Sequence, residues 1–270
     1  MPQDRATRFW IVTALFVTLG LPLMLLALAV VYRAEILDAA VSAIPVAHEQ
    51  ALAEQFWRLQ QRQLALIENT PANRFIAEVG SRLASAKPSP YAYRFHLADD
   101  ASINAFALPA GLIVVHRGLI EKARSAEEVA GVLAHEIEHV EQRHGLRGMV
   151  QAIGFSALWW ALTGDGGSLL GPALKELATL HFSREQETTA DLGGFERLVA
   201  AGIAPQGMAS FFEGLAADAT MPGMVNLLST HPASAQRAER LKALVESAPN
   251  LPLLAADWPQ IRASIHARTQ

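Results

Sequence analysis

The chain of 270 residues has no cysteine. Disulfides, thiolate metal ligands, a cysteine nucleophile and lipid attachment through cysteine are therefore excluded. Charge is sparse as well: Asp, Glu, Lys and Arg make up 18% of the residues, against ~25% in ordinary soluble domains. There is no basic excess, since 22 Lys and Arg face 26 Asp and Glu for a net charge of -4. No nucleic acid is expected as a partner. What is abundant is hydrophobic residues, at 51%, which excludes a disordered chain. Any metal site must be built from carboxylates and the nine histidines.

Residues Phe9 to Tyr32 carry no charge. As a helix this run is about 36 Å long at ~1.5 Å per residue, enough for a bilayer core of ~30 Å. Trp10 and Tyr32 flank it, where aromatic rings favour the interface. The competing reading is a cleaved signal peptide, whose apolar core is usually ~7–15 residues and so shorter than this one. The spacing thus predicts a transmembrane anchor over residues 1–33. Arg5 and Arg8 precede the run, and only Arg33 follows it closely. By the positive-inside rule the amino terminus stays in the cytoplasm. The expected location is a bacterial inner membrane, single-pass, with the remaining residues in the periplasm and membrane lipid as a partner of the anchor.

Beyond the anchor, residues 34–87 read as helices, with Thr70-Pro71 as a start signal. Three strand-like runs follow, Tyr93–Leu97, Ile103–Leu108 and Leu112–His116, broken by Asp99-Asp100 and Pro109-Ala110-Gly111. A small antiparallel sheet is the economical reading. Ser125 and Glu128 have capping-box spacing, predicting a helix from Ala126 to His144 stopped by Gly145. Met149 to Thr163 is apolar but short for a span; it is either a core helix or one dipping into the membrane surface. Further helices are expected over Pro172–Ala201, opening a second segment at Ser183, and over Gln206–Ala217 and Pro232–Ser247. The domains expected are a metal-dependent domain over 34–248 and a carboxy-terminal tail over 249–270.

The chemistry is concentrated in His135-Glu136-Ile137-Glu138-His139, an H-E-x-x-H motif inside the Ser125-capped helix. Residues i and i+4 share a helix face, so both imidazoles can reach one ion. Glu136 lies beside that face, where a carboxylate can take a proton from a water that the metal acidifies. The motif alone arises by chance in about one chain in a hundred of this length, so a third ligand decides. A catalytic zinc takes three protein ligands and keeps one position open. The best candidate stretch is Ser183 to Asp191. There Glu187 and Asp191 are again i and i+4, so one can ligate while the other supports a ligand histidine. Arg184 reads as a structural ion-pair partner. His144 is expected roughly opposite His135, and His48, His96, His116, His181 and His266 have no partner pattern.

H-E-x-x-H followed by Ser-Arg-x-x-Glu-x-x-x-Asp resembles the HtpX/BepA-type family of zinc metallopeptidases, which includes the prenyl-protein proteases. Asn104-Ala105-Phe106-Ala107-Leu108-Pro109 resembles the family segment before its active-site helix, and Gly118-Leu119-Ile120 the G-L-L that follows this segment. His231-Pro232, with Arg237 beyond, resembles its downstream H-P element. The likeness runs over about residues 70–245, with Ala110 where the family has glycine.

The resemblance implies an α+β, mainly helical zincin-type domain holding one zinc on His135, His139 and Glu187. Glu136 is implied as general base, and Asp191 as orienting His135 or its neighbour. Strand Leu112–His116 is implied as the edge along which an extended substrate adds. His231 is implied near the metal, either as a fourth ligand that closes the site or as a group steadying the oxyanion. The function implied is a membrane-anchored endopeptidase acting on unfolded or damaged envelope proteins. The rival readings are a zinc-holding chaperone or scaffold closed by His231, and a prenyl-protein protease.

Overall fold

The computed structural model describes residues 3–61, 64–155, 158–159, 181–217, 227, 230–231 and 235–266. The chain divides into two compact units, residues 1–43 and 44–270.

The first unit holds α1 (Gln3–Leu15), a π-helical turn (Phe16–Gly20), α2 (Leu21–Val31) and α3 (Arg33–Ser42). The wide turn precedes Pro22, which lacks an N–H and whose ring clashes with the preceding helical turn. The helical stretch Thr7–Val31 spans 25 residues, and its apolar 18-residue window has a mean hydropathy of 2.6 with no residue buried. Length and composition suit a bilayer crossing.

In the second unit α4 (Val46–Gln60) leads to α5 (Pro71–Ser85). The Thr70 hydroxyl accepts from the Asn73 N–H at 3.2 Å, and Pro71 fills the first helical position, where a missing N–H costs nothing. Then come β1 (Arg94–Ala98), β2 (Ala105–Leu108), a tight turn at Pro109–Gly111 and β3 (Leu112–His116). In that turn Ala110 itself takes the left-handed conformation (φ 60°, ψ 21°) that glycine accepts more readily.

The strands form one sheet in the order β1-β3-β2. β2 pairs with β3 antiparallel, as the sequence suggests, but β1 pairs with β3 parallel, so the sheet is mixed. The assignment of Leu112–His116 as an edge is corrected by this order: β3 is the middle strand. Every residue of β3 is buried, and the most continuous apolar strand belongs where both faces and both edges are covered. β1 is screened on its outer side by residues 65–67, through Ile67 N–H to Leu97 O at 2.8 Å and Asp99 N–H to Ala65 O at 2.7 Å. The open edge among the described residues is therefore that of β2.

After α6 (Arg117–Lys122) comes α7 (Ala126–Glu141), buried at every position from Ala126 to Val140. Ser125 caps it by accepting from the Glu128 N–H at 3.3 Å. Glu128 does not close the box; it accepts from the N–H of Arg124 instead, at 2.7 Å. A helix buried all round must satisfy its charges. Glu127 accordingly holds the Leu254 N–H at 2.7 Å, and Glu138 the Arg197 guanidinium at 2.7 Å.

The expected helix Ala126–His144 ends early. Arg143 is left-handed (φ 54°), and a new helix, α8 (His144–Ile153), starts beyond it. Gly145 thus lies inside α8 rather than stopping α7. The expected run Met149–Thr163 continues α8 only to Ile153, and its residues 156–157 and 160–163 lie outside the described residues, as does 172–180 of the next expected helix.

α9 (Arg184–Ala200) opens on a reciprocal capping box between Ser183 and Gln186. α10 (Gln206–Ala217) matches its expected bounds, and α11 (Ala235–Glu246) falls within its own, with 232–234 outside the described residues. The segment past 248 carries α12 (Trp258–Ser264), which packs on α5; Ile261 in it and Ile265 just beyond it are buried in the core. α7 packs against α9, α10, β2 and α5. Glycines allow these crossings: a Cβ on Gly131 would meet the Met208 backbone at 2.6 Å, and one on Gly193 the Glu138 carboxylate at 2.3 Å.

Candidate metal centre

The motif histidines leave α7 on one face, as their spacing requires, and α9 crosses that face so that Glu187 and Asp191 meet them. His231, ahead of α11, completes the group. His135, His139, Glu187 and His231 each offer a ligand atom, all within 4.8 Å of one another, and all four residues are buried.

The donor set fits a cation. The two Nε2 atoms of His135 and His139 are 3.0 Å apart. Glu187 Oε1 is 3.5 Å from His139 Nε2, and its Oε2 is 3.6 Å from His135 Nε2. Nitrogens each ~2.0–2.1 Å from one tetrahedral ion stand about 3.3 Å apart. Buried imidazole nitrogens and a carboxylate converging at these spacings suit a cation held between them.

Each imidazole has a polar neighbour on its far side. His135 Nδ1 is 3.1 Å from Asp191 Oδ1, a carboxylate placed to favour the tautomer with its proton on Nδ1. Arg237 in turn donates to both Asp191 oxygens at 2.8 Å and also pairs with Glu187. Its guanidinium lies over the Phe212 ring, 4.8 Å from the centroid. His139 Nδ1 is 3.0 Å from His144 Nδ1, and the Phe182 ring lies 4.0 Å from the His139 ring. His231 turns Nδ1 toward the group, 3.0 Å from Glu187 Oε1 and 3.3 Å from His135 Nε2. Its Nε2 is 3.5 Å from Glu136 Oε1.

Burial sets the electrostatics. It pushes the Glu136 carboxyl above the usual carboxylate range, against the pull of His231 and His135. Burial also opposes ionisation of Glu187, but the imidazoles of His231, His139 and His135 outweigh it and hold this carboxyl low. Asp191 is likewise held low by His135 and Arg237 against its burial. His139 is driven well down by burial, and His144 down to about 4. His231 moves up despite burial, because Glu136 and Glu187 face it.

All six residues singled out in the sequence therefore meet at one place. His144, Phe182 and the double role of Arg237 were not read there. His144 fails the helical-wheel argument because the chain breaks at Arg143. Arg237 stood only as a spacing mark after His231, while Phe182 carried no signal at all.

Two histidines and a glutamate on one turn-spaced motif, met by a carboxylate from a second helix, define a zinc metallopeptidase of the two-histidine, one-glutamate type. The family comparison agrees: residues 71–245 match the model of peptidase family M48, and the chain belongs to that family. It is a zinc metalloendopeptidase in class. It is 34% identical over 184 residues to metalloprotease LoiP of Escherichia coli K12, covering 64% of this chain and 71% of that protein. It is 32% identical over 247 residues to a putative beta-barrel assembly-enhancing protease of Vibrio cholerae, covering 84% of this chain and 50% of that one. The Escherichia coli K12 beta-barrel assembly-enhancing protease is 30% identical over 206 residues, with 71% and 42% covered. The chain thus spans about half the length, or less, of these two assembly-enhancing proteases.

Proposed function

We propose that the chain is a membrane-anchored endopeptidase that cuts unfolded or damaged envelope proteins, with its catalytic unit in the periplasm. The observation that carries the reading is the convergence of His135, His139 and Glu187 beside Glu136. In this reading His135, His139 and Glu187 hold zinc, and Asp191 orients His135. Zinc, when bound, supplies a Lewis acid that makes a nucleophile available at neutral pH and polarises the scissile carbonyl. Glu136 takes the proton from the attacking water and returns it to the leaving amine. Burial raises its pKa, the direction that favours taking up the proton and handing it on.

The substrate strand adds to the β2 edge. The Asn104 carbonyl accepts from the His116 N–H at 2.9 Å, and β2 pairs antiparallel with β3. Alternation then turns the backbone groups of Phe106 toward β3 and those of Ala105 and Ala107 outward. The Ala107 N–H faces the Glu136 carboxylate. An extended peptide on this edge lies alongside the general base.

Metal analysis and digestion of a denatured protein test the reading. Wild type is expected to hold one zinc, Glu187→Ala to lose it, and Glu136→Gln to keep it while cleavage disappears. Cleavage by Glu136→Gln at the wild-type rate overturns the mechanism. Protease accessibility on spheroplasts tests the sidedness.

A second reading, a site closed by His231, is favoured by the placement of its Nδ1 among the ligand atoms. His231→Ala then raises proteolysis. If no variant cleaves under any condition, a zinc-holding scaffold is the better description.

A further inference from the structure

We propose that Glu49, on α4, is a positioning residue for the endopeptidase site, latching the turn after β2 to the elbow after α7. The proposal rests on the reading above, in which β2 and α7 bound the cleavage centre. Glu49 precedes the family match, which begins at residue 71.

Glu49 is fully buried, on an α4 face shared with Leu52, Ala53 and Phe56. Its Oε2 accepts from Arg143 Nε at 3.0 Å and from the Tyr91 hydroxyl at 3.1 Å, and Arg143 Nη2 stands 2.9 Å away. The Ala110 backbone N–H faces the same carboxylate. Arg143 also donates to the Ile44 carbonyl at 2.7 Å, next to the start of α4.

Two of these partners share an uncommon feature. Ala110 (φ 60°) and Arg143 (φ 54°) are two of the three non-glycine residues at positive φ among the described residues. Left-handed backbone is unfavourable for a residue with a side chain and persists where its surroundings over-determine it. Ala110 sits in the turn that ends the β2 edge. Arg143 sits in the elbow between His139 and His144, the two histidines in contact behind the metal group. Glu49 thus bonds the elbow directly through Arg143, and it meets the turn through the packing of α4 on Pro109–Gly111 and through Tyr91, which clusters with Ala110. Between them is a small cavity lined by Glu49, Leu108, Pro109, His139, Val140 and Leu146, at the end of the edge where a peptide adds.

Stability alone is a poor reason for this carboxylate. Its Oε1 is buried without a hydrogen-bond partner, and a buried ion pair is often no more stabilising than apolar side chains of similar size. What a buried, directional pair contributes is fixed geometry, here the gap between the substrate edge and the metal helix.

The test uses the full chain in detergent, with an extended peptide as substrate and a chelator to follow zinc loss. Glu49→Gln is expected to raise KM about tenfold and to speed zinc loss several-fold. Arg143→Gln does the same, and the double variant is no worse than the worse single. Leu83→Ala, in the α5 core, lowers thermal stability without moving KM or the zinc-loss rate. If Glu49→Gln behaves like Leu83→Ala, or if the two single effects multiply in the double variant, the latch is overturned. Zinc loss reads the latch even where cleavage fails, whereas cleavage retained by Glu136→Gln rejects the underlying mechanism instead.

Discussion

His144 stands directly behind His139, Nδ1 to Nδ1 at 3.0 Å. An imidazole that gives its Nε2 lone pair to a metal keeps its proton on Nδ1 and needs an acceptor there. A neutral His144 is placed to be that acceptor for a metal-bound His139. Burial holds it neutral, with its pKa pushed down to about 4. In the unfolded chain the same group titrates near 6.5. The folded state therefore binds fewer protons between those values, and stability falls as pH drops through this window. From pH 7 to 5 the loss assignable to His144 is up to about 2 kcal/mol. Urea unfolding of metal-free His144→Asn should show a correspondingly smaller acid loss than wild type. Equal losses in the two proteins rule this assignment out. The candidate ligands were legible because i, i+4 spacing on one helix is a local property. His144 was not, since its direction depends on the left-handed Arg143, whose side chain bonds a residue 94 positions away.

At the scale of elements, the centre exists because α9 and α10 approach α7 closely. A Cβ on Gly207 would lie 2.2 Å from the Glu127 backbone carbon, where only movement of a helix gives relief. Gly207→Ala should therefore destabilise the protein by about 1–3 kcal/mol. Gly214, on the same helix, has only the end of Arg124 near its absent Cβ, at 3.8 Å. Gly214→Ala should leave stability unchanged or raise it by up to ~1 kcal/mol, through helix propensity. Thermal unfolding of the pair separates crossing geometry from propensity, and equal effects would refute the crossing argument. The helices were readable from caps at Thr70, Ser125 and Ser183, each of which acts on its own first turn. Sheet order was not readable. Three short strands admit several orders, and the choice of β3 for the middle reflects its burial on both faces, a tertiary outcome.

For the molecule as a whole, the division at residue 43 separates two kinds of surface. Residues 7–31 expose an apolar helix to their surroundings. The unit from Ile44 onward buries its own core, from Ala72 on α5 through α7 to Ile265. It also contains the four candidate ligands and Glu49 with its partners. All the residues assigned to cleavage in the proposed function thus lie on one side of the division, and residues 1–43 contribute none of them. Residues 44–270 alone should be soluble without detergent, hold zinc and digest a denatured soluble protein at a rate comparable to the full chain. The full chain should stay in the membrane pellet after an alkaline carbonate wash. Co-sedimentation of residues 44–270 with lipid vesicles would show instead that this unit carries its own lipid contact. The apolar run Met149–Thr163 is the first place to test for it, by placing a charged residue at Trp159, which is 37% exposed. Release from vesicles by that substitution, with zinc content unchanged, would assign the second contact to this run and leave the metal centre independent of it.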